Sequence, residues 1–231
     1  MRPTFVAATS ERSDRQDQRV SCGTIDAALE RWLGRGTTRL QAGRLMLALL
    51  VAYGFFAATY LAINSFSVGR NAHILYLPGE SRLPFVPLFE YLYVLAYFLP
   101  LLIVRTIRNY PTFRRLLRAS ASALLVAYTT YLLFPVYLDR PLLTVNSCHT
   151  WLLSLEYLDR AYNHFPSLHV TWSWLAVFAS QVARPAKAVL ALVAFGVSVS
   201  TLFVKQHYVV DVIYGLLLAA LAWRLAAARR A

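Results

Sequence analysis

Two short strings hold most of the polar chemistry of this chain: Phe165-Pro166-Ser167-Leu168-His169 and Lys205-Gln206-His207-Tyr208-Val209-Val210-Asp211. Each sets a histidine at the edge of a long apolar run. His207 and Asp211 are four residues apart, so on a helix they share one face and the carboxylate can fix the imidazole tautomer. A histidine held by a carboxylate, with a second histidine and two cations (Arg140 and Lys205) in reach, is equipment for nucleophilic attack at phosphorus. The same residues could also be a helix-capping pair that joins spans, so their placement relative to a membrane has to decide.

The composition points to a membrane. Of 231 residues, 58% are hydrophobic and 15% charged, against roughly 25% charged in a soluble domain, and the mean hydropathy is +0.49. The net charge of +12 invites a nucleic-acid reading. The basic residues, however, are mostly arginines flanking apolar segments, which is a topology signal instead, and no nucleic-acid partner is expected. Cys22 lies in a polar tail and Cys148 in a loop expected on the opposite side, so no disulfide framework is predicted. Residues 1–38 form a polar, Arg-rich cytoplasmic tail without a signal-peptide core. Within it Thr24 to Leu33 has helical apolar spacing (Ile25, Ala28, Leu29, Trp32, Leu33). That piece fits a helix on the membrane surface and equally a disordered tail.

A spanning helix needs about 20 apolar residues. Six stretches qualify, near 43–63, 87–104, 119–138, 167–183, 187–204 and 207–226; the fourth is short and opens with polar residues. The predicted fold is therefore all-α, a polytopic membrane protein with six transmembrane helices in one bundle, over residues 39–231. Most of the 23 Lys and Arg fall on the tail, the second-to-third connection, the fourth-to-fifth turn and the C-terminal end. The positive-inside rule then makes both termini cytoplasmic. Arg140, the Ser167–His169 pair and the Lys205–Asp211 string come from three separate places, yet all fall at the outer membrane edge. Asp211 lies about one turn into span six, where an isolated charge costs roughly 2.5–3.5 kcal/mol, and His207 is its nearest partner.

On these residues the chain resembles the type 2 phosphatidic acid phosphatase superfamily. Arg140-Pro141 matches the end of that family's Lys-x6-Arg-Pro element. Pro166-Ser167-Leu168-His169 matches Pro-Ser-Gly-His with Leu168 for glycine, and Ser200, His207 and Asp211 match Ser-Arg-x5-His-x3-Asp. The resemblance covers roughly residues 40–226. The family's lysine would fall at Leu133 and its second arginine at Thr201. Phe134-Pro135, the Phe-Pro-Ser-Leu-His string and the Lys-Gln-His-Tyr string look more like the inositol phosphorylceramide synthase branch.

The resemblance implies a lipid phosphotransferase or phosphatase working through a phosphohistidine on His207. Asp211 would hold Nδ1–H, and His169 would protonate the leaving oxygen. Arg140, Ser167 and Lys205 would bind phosphate, Ser167 also capping the fourth span. A pocket with fewer cations suits a phosphodiester, which carries one charge, better than a monoester, unless Arg82 or Arg160 folds in. With an alcohol acceptor the enzyme is a transferase; with water it is a phosphatase. A non-catalytic membrane protein is the third class. The expected partner is a membrane lipid, the expected location a bacterial inner membrane, and no cofactor is implied. His169, His207 and Asp211 could form a two-His, one-carboxylate metal set. Asp211 has a better partner in His207, and no acidic cluster accompanies them, so no metal is expected. Glu90, early in span two, is flagged by its position in an apolar run. His164 reads as an interfacial loop residue, and His73 and His149 carry no motif.

Overall fold

The computed structural model describes residues 27–29, 32, 42–103 and 106–228. The regular structure among them is all helical, joined by extended loops, with no strand beyond one isolated bridge between His73 and Val136. The long helices are α1 (Ala42–Ser67), α4 (Tyr110–Leu133), α7 (Arg184–Phe203) and α8 (Val209–Ala228). Between them lie the short α2 (Glu90–Tyr93), α3 (Leu95–Ile103), α5 (Cys148–Glu156) and α6 (Leu168–Ala179). Among the described residues four helices are long and apolar enough to cross a membrane: Met46–Ser67, Tyr110–Leu133, Arg184–Phe203 and Val209–Ala227. The second and fourth predicted spans correspond to shorter apolar stretches, Pro87–Ile103 and Leu168–Ala179. The first of these is broken at Val94 and carries Pro100 inside α3. Helix α8, the sixth predicted span, begins at Val209 rather than 207, so His207 stands in the turn before it. Of the predicted tail helix, residues 27–29 and 32 are helical; the rest of that stretch, and Cys22, lie outside the described residues.

The core combines large side chains such as Phe113, Tyr131 and Leu175 with small ones at helical spacing. Ala119, Ala123 and Ala127 of α4 are fully buried, as is Ala219 of α8. In lipid there is little hydrophobic drive between helices, so close backbone approach supplies the packing energy. The short α6 lies at the centre and packs against α3, α4, α7 and α8. Other large apolar side chains face outward: Leu50, Val51, Phe55 and Phe66 of α1, Leu125 of α4, Leu192 of α7 and Leu217 of α8 are exposed. Such an apolar girdle suits a lipid solvent.

Two connections tie one end of the bundle together. The His73 amide donates to the Pro135 carbonyl at 2.9 Å, and the Tyr137 amide donates to the His73 carbonyl at 2.9 Å. Glu80 is buried between Leu77 and α8. Its Oε2 accepts from the Leu77 amide at 3.0 Å and its Oε1 from the Val209 amide at 2.7 Å. A carboxylate there satisfies an orphan donor at the start of α8 and complements the helix dipole.

Candidate active site

The turn between α7 and α8 delivers His207. Lys205 adopts a left-handed conformation with φ 55, and the amides of Gln206 and His207 both donate to the Thr201 carbonyl, at 2.9 and 3.2 Å. Tyr208 precedes α8, and its amide donates to Asp211 Oδ2 at 2.9 Å. A carboxylate in the first helical turn that reaches back to the capping amide is half of a capping box. The same oxygen lies 3.2 Å from His207 Nδ1, so Asp211 holds both the helix start and the imidazole. The helix cap and the hold on the imidazole are thus a single arrangement. His207 is 6% exposed and Asp211 is fully buried. Burial pushes the His207 imidazole down to about 3, so the ring is a neutral base at neutral pH.

Ser167 caps α6, its Oγ accepting from the Val170 amide at 3.4 Å. Its own amide donates to the Asp211 carbonyl at 3.1 Å, and Thr171 Oγ1 donates to the Gly215 carbonyl at 2.9 Å. These bonds fix the first turn of α6 against α8 and bring His169 Nδ1 to 3.3 Å from His207 Nε2. The far side of His169 is held by two tyrosines. Nε2 lies 3.0 Å from the Tyr93 hydroxyl and 2.9 Å from the Tyr97 hydroxyl. Tyr97 in turn bonds Glu156 Oε2 at 2.5 Å.

Arg140 reaches the same end. Its Nη2 bonds Asp159 Oδ1 at 2.7 Å and Gln206 Oε1 at 3.0 Å, and Nη1 donates to the Asp159 carbonyl at 3.1 Å. Nε is buried without a partner, which leaves a guanidinium edge with unused donor capacity. Tyr60 donates to the other Asp159 oxygen at 3.0 Å. His164 is not the interfacial loop residue expected from sequence: it is 3% exposed, and its ring centroid lies 5.5 Å from that of His207.

The remaining expected residues are placed less centrally. The Lys205 amine donates to the Leu83 carbonyl at 2.7 Å. Leu133 is 77% exposed and Thr201 is fully buried in α7, so the two positions where the family carries basic residues face different surroundings. Arg82 and Arg160 are exposed. Glu90 is fully buried, with neither carboxyl oxygen hydrogen-bonded. Among the described residues no three His, Cys, Asp or Glu side chains are arranged to hold a metal ion. Asp211 faces the Nδ1 side of His207 and His169 faces the Nε2 side, so they do not converge on one point. Tyr93, Tyr97, Glu156 and Asp159 escaped the sequence reading, since each is a single polar residue in an apolar stretch or loop, with no motif spacing; Gln206 stands inside the Lys205–Asp211 string but is given no role there. Glu156, a lone carboxylate closing the apolar run Trp151–Leu155, carried the one signal that could have flagged it.

Beside His169 opens a groove of ≈ 290 Å³ walled by Tyr53, Phe56, Ala96, Tyr97, Leu168 and Trp172. Tyr53 and Trp172 also wall a larger apolar recess of ≈ 600 Å³ between α1, α3, α4 and α6.

The family model described as the PAP2 superfamily matches residues 82–225, from just before α2 to near the end of α8, and so includes every site residue from Tyr93 to Asp211. No curated protein and no solved structure matches the chain.

Proposed function

The chain belongs to the PAP2 superfamily, whose chemistry is phosphatase or phosphotransferase action on lipid phosphates, and from that premise we propose a membrane lipid phosphotransferase with a phosphohistidine intermediate on His207. The observation that carries the reading is the division of labour around one ring. Asp211 engages Nδ1 while Nε2 faces His169 at 3.3 Å. In the first step Nε2 attacks the phosphorus of a phospholipid donor, and the lipid alcohol leaves with a proton from His169. In the second step His169 takes a proton from the acceptor hydroxyl, which attacks the phosphohistidine and frees His207. Asp211 stabilises the imidazolium character that develops on His207. The donor amides of the α6 N-terminus, capped by Ser167, and the free edge of Arg140 bind the phosphoryl oxygens; Lys205 supplies longer-range positive charge.

A phosphodiester donor and a lipid-alcohol acceptor, as in the inositolphosphotransferase branch, fit two features. Arg140 shares its charge with Asp159, which leaves a weakly cationic pocket suited to a singly charged phosphate. The apolar groove next to His169 suits a lipid chain. We place the protein in a bacterial inner membrane. The two shorter apolar stretches complete six spans, with both termini cytoplasmic and the site facing out.

The test uses purified full-length protein with a labelled phospholipid, with and without a lipid-alcohol acceptor. The expected result is acceptor-dependent appearance of labelled product, abolished in His207→Ala. Preferential release of free phosphate from phosphatidic acid without acceptor would replace this reading with a monoester phosphatase. Full activity in His207→Ala would end the phosphohistidine mechanism.

A further inference from the structure

Five polar side chains run in line through the site: Asp211, His207, His169, Tyr97 and Glu156. The successive separations are 3.2, 3.3, 2.9 and 2.5 Å. The proposed displacement uses the first three and leaves Tyr97 and Glu156 without a task. Proton counting supplies one. Tyr97 has a single hydroxyl proton and three hydrogen-bonding neighbours: Glu156 Oε2 and His169 Nε2, which compete for it, and the Tyr93 hydroxyl. If Glu156 is ionised, the proton goes to the carboxylate, and Tyr97 no longer donates to His169; it accepts, which favours a proton on His169 Nε2. If Glu156 is protonated, it donates to Tyr97, Tyr97 donates to His169 Nε2, and His169 carries its proton on Nδ1, facing His207 Nε2.

We propose that Glu156, acting through the Tyr97 hydroxyl, sets the tautomer of His169 and is the proton reservoir for the transfer cycle. The catalytic half of this proposal rests on the phosphohistidine reading above; the tautomer coupling does not. Both groups are positioning residues, because neither touches the reacting phosphorus. The Tyr93 hydroxyl lies 3.0 Å from Nε2 and 3.4 Å from Nδ1 of the same ring and also bonds Tyr97; it makes no hydrogen bond to a carboxylate among the described residues, so the charge that changes with pH reaches His169 through Tyr97.

The proton balance closes over a turnover. As His207 Nε2 bonds to phosphorus and the phosphorus–oxygen bond of the donor breaks, the leaving oxygen takes the proton from His169 Nδ1. Tyr97 passes its proton to His169 Nε2, and Glu156 passes its own to Tyr97. His169 ends neutral in the opposite tautomer and Glu156 ends as a carboxylate. When the acceptor hydroxyl attacks the phosphohistidine, its proton goes to Nδ1 and the chain runs backward to the starting state. His169 thereby acts as acid and then base without becoming a cation. A phosphorus between the two rings has the nucleophile on one side and the proton donor on the other, as in-line transfer requires, once the rings part to admit it.

Burial pushes the Glu156 carboxyl up to about 7; Asp159 adds to the rise, and the Tyr97 hydrogen bond and Arg140 oppose it. The reservoir therefore changes charge near neutrality. The titratable and charged groups that face it are Tyr97 and Tyr93, Glu90, Tyr53 of α1, Asp159 and Arg140.

The deciding measurement is the nitrogen NMR spectrum of histidine-labelled full-length protein in lipid nanodiscs, at about pH 5.5 and about pH 8.5, on either side of the carboxyl's titration. His169→Asn assigns the signal. In the wild type, His169 should switch from the Nδ1–H to the Nε2–H tautomer as pH rises. In Tyr97→Phe and in Glu156→Gln the tautomer should no longer respond to pH. A wild-type ring that keeps one tautomer throughout, or a switch that persists in Tyr97→Phe, overturns the coupling.

A kinetic arm tests its use. Wild-type kcat/KM should fall above about pH 7, as the reservoir loses its proton. Tyr97→Phe should cost about 10- to 100-fold with a lipid donor and remove that fall, while an aryl phosphodiester with a good leaving group should lose less than about threefold. Equal losses on both donors with the pH profile unmoved overturn the reservoir role. His207→Ala, run alongside, reports on the phosphohistidine separately: if it keeps turnover, that reading fails while the NMR result still judges the coupling.

Discussion

Asp211 Oδ2 serves two donors, the Tyr208 amide and His207 Nδ1, while Oδ1 is buried without a partner. This divides the expected effects of substitution. Asp211→Asn can keep a contact to the ring but loses the charge that stabilises the forming imidazolium and can leave the wrong tautomer. It should retain a trace of activity, about 10⁴-fold down, whereas His207→Ala should have none, because the bond-forming atom is gone. Single-turnover transfer to labelled acceptor measures both. Equal, complete loss in the two variants, with unfolding of Asp211→Asn excluded by its melting curve, would mean that the carboxylate does more than orient and stabilise. At Arg140, the Asp159 ion pair and the spare Nε explain how one guanidinium can be structurally anchored and still address a phosphate.

The distance between the two histidines is set by helix contacts. A Cβ at Gly215 of α8 would lie 2.6 Å from the Ser167 carbonyl and 3.3 Å from Ser167 Cβ, so only glycine lets α8 approach the cap of α6. Gly215→Ala must push the two helices apart. It should destabilise the protein by about 1–3 kcal/mol and lower turnover disproportionately, since the gap between His169 and His207 widens. Thermal unfolding in detergent, together with kcat, checks this; unchanged values for both would show that the bundle absorbs the methyl elsewhere. Arg115 plays a comparable part at the other end. Its guanidinium lies 3.9 Å from the Trp223 ring centroid and donates to the Trp223 carbonyl at 2.9 Å, pinning α4 to the last turns of α8.

On the scale of the molecule, the site residues cluster at one end of the bundle, and Cys148 is exposed at the start of α5, the helix whose last residue is Glu156. If that end faces outward, an impermeant thiol reagent added to intact cells should label Cys148, and Cys22 in the tail should react only after permeabilisation. Single-cysteine variants separate the two signals. The opposite pattern would put the histidines on the cytoplasmic face and reverse the topology. The exposed apolar girdle of α1, α4, α7 and α8 holds in either orientation, because it depends on the lipid around the helices and not on which side is which.

Composition and hydropathy by themselves determined that the chain is helical and suited to lipid, since a bilayer forces backbone polar groups to bond within each segment and leaves few alternatives. Spacing alone paired His207 with Asp211, although His207 stands in the turn before α8 and the carboxylate reaches back to it from the first turn. The sequence also singled out Ser167 and His169 at a helix start, and the capping bond to Val170 follows from the residue type. What only the tertiary structure decided are the contacts between segments far apart in the chain. Tyr97 and Glu156 are 59 residues apart, and His169 and His207 are 38. No local propensity encodes such meetings; they depend on a glycine and a row of alanines letting helices close. The broken stretch around Val94, the burial of His164 beside His207 and the turning of Lys205 toward Leu83 have the same origin. Each depends on which neighbour a side chain finds after packing, and one-dimensional periodicity carries no information about that neighbour.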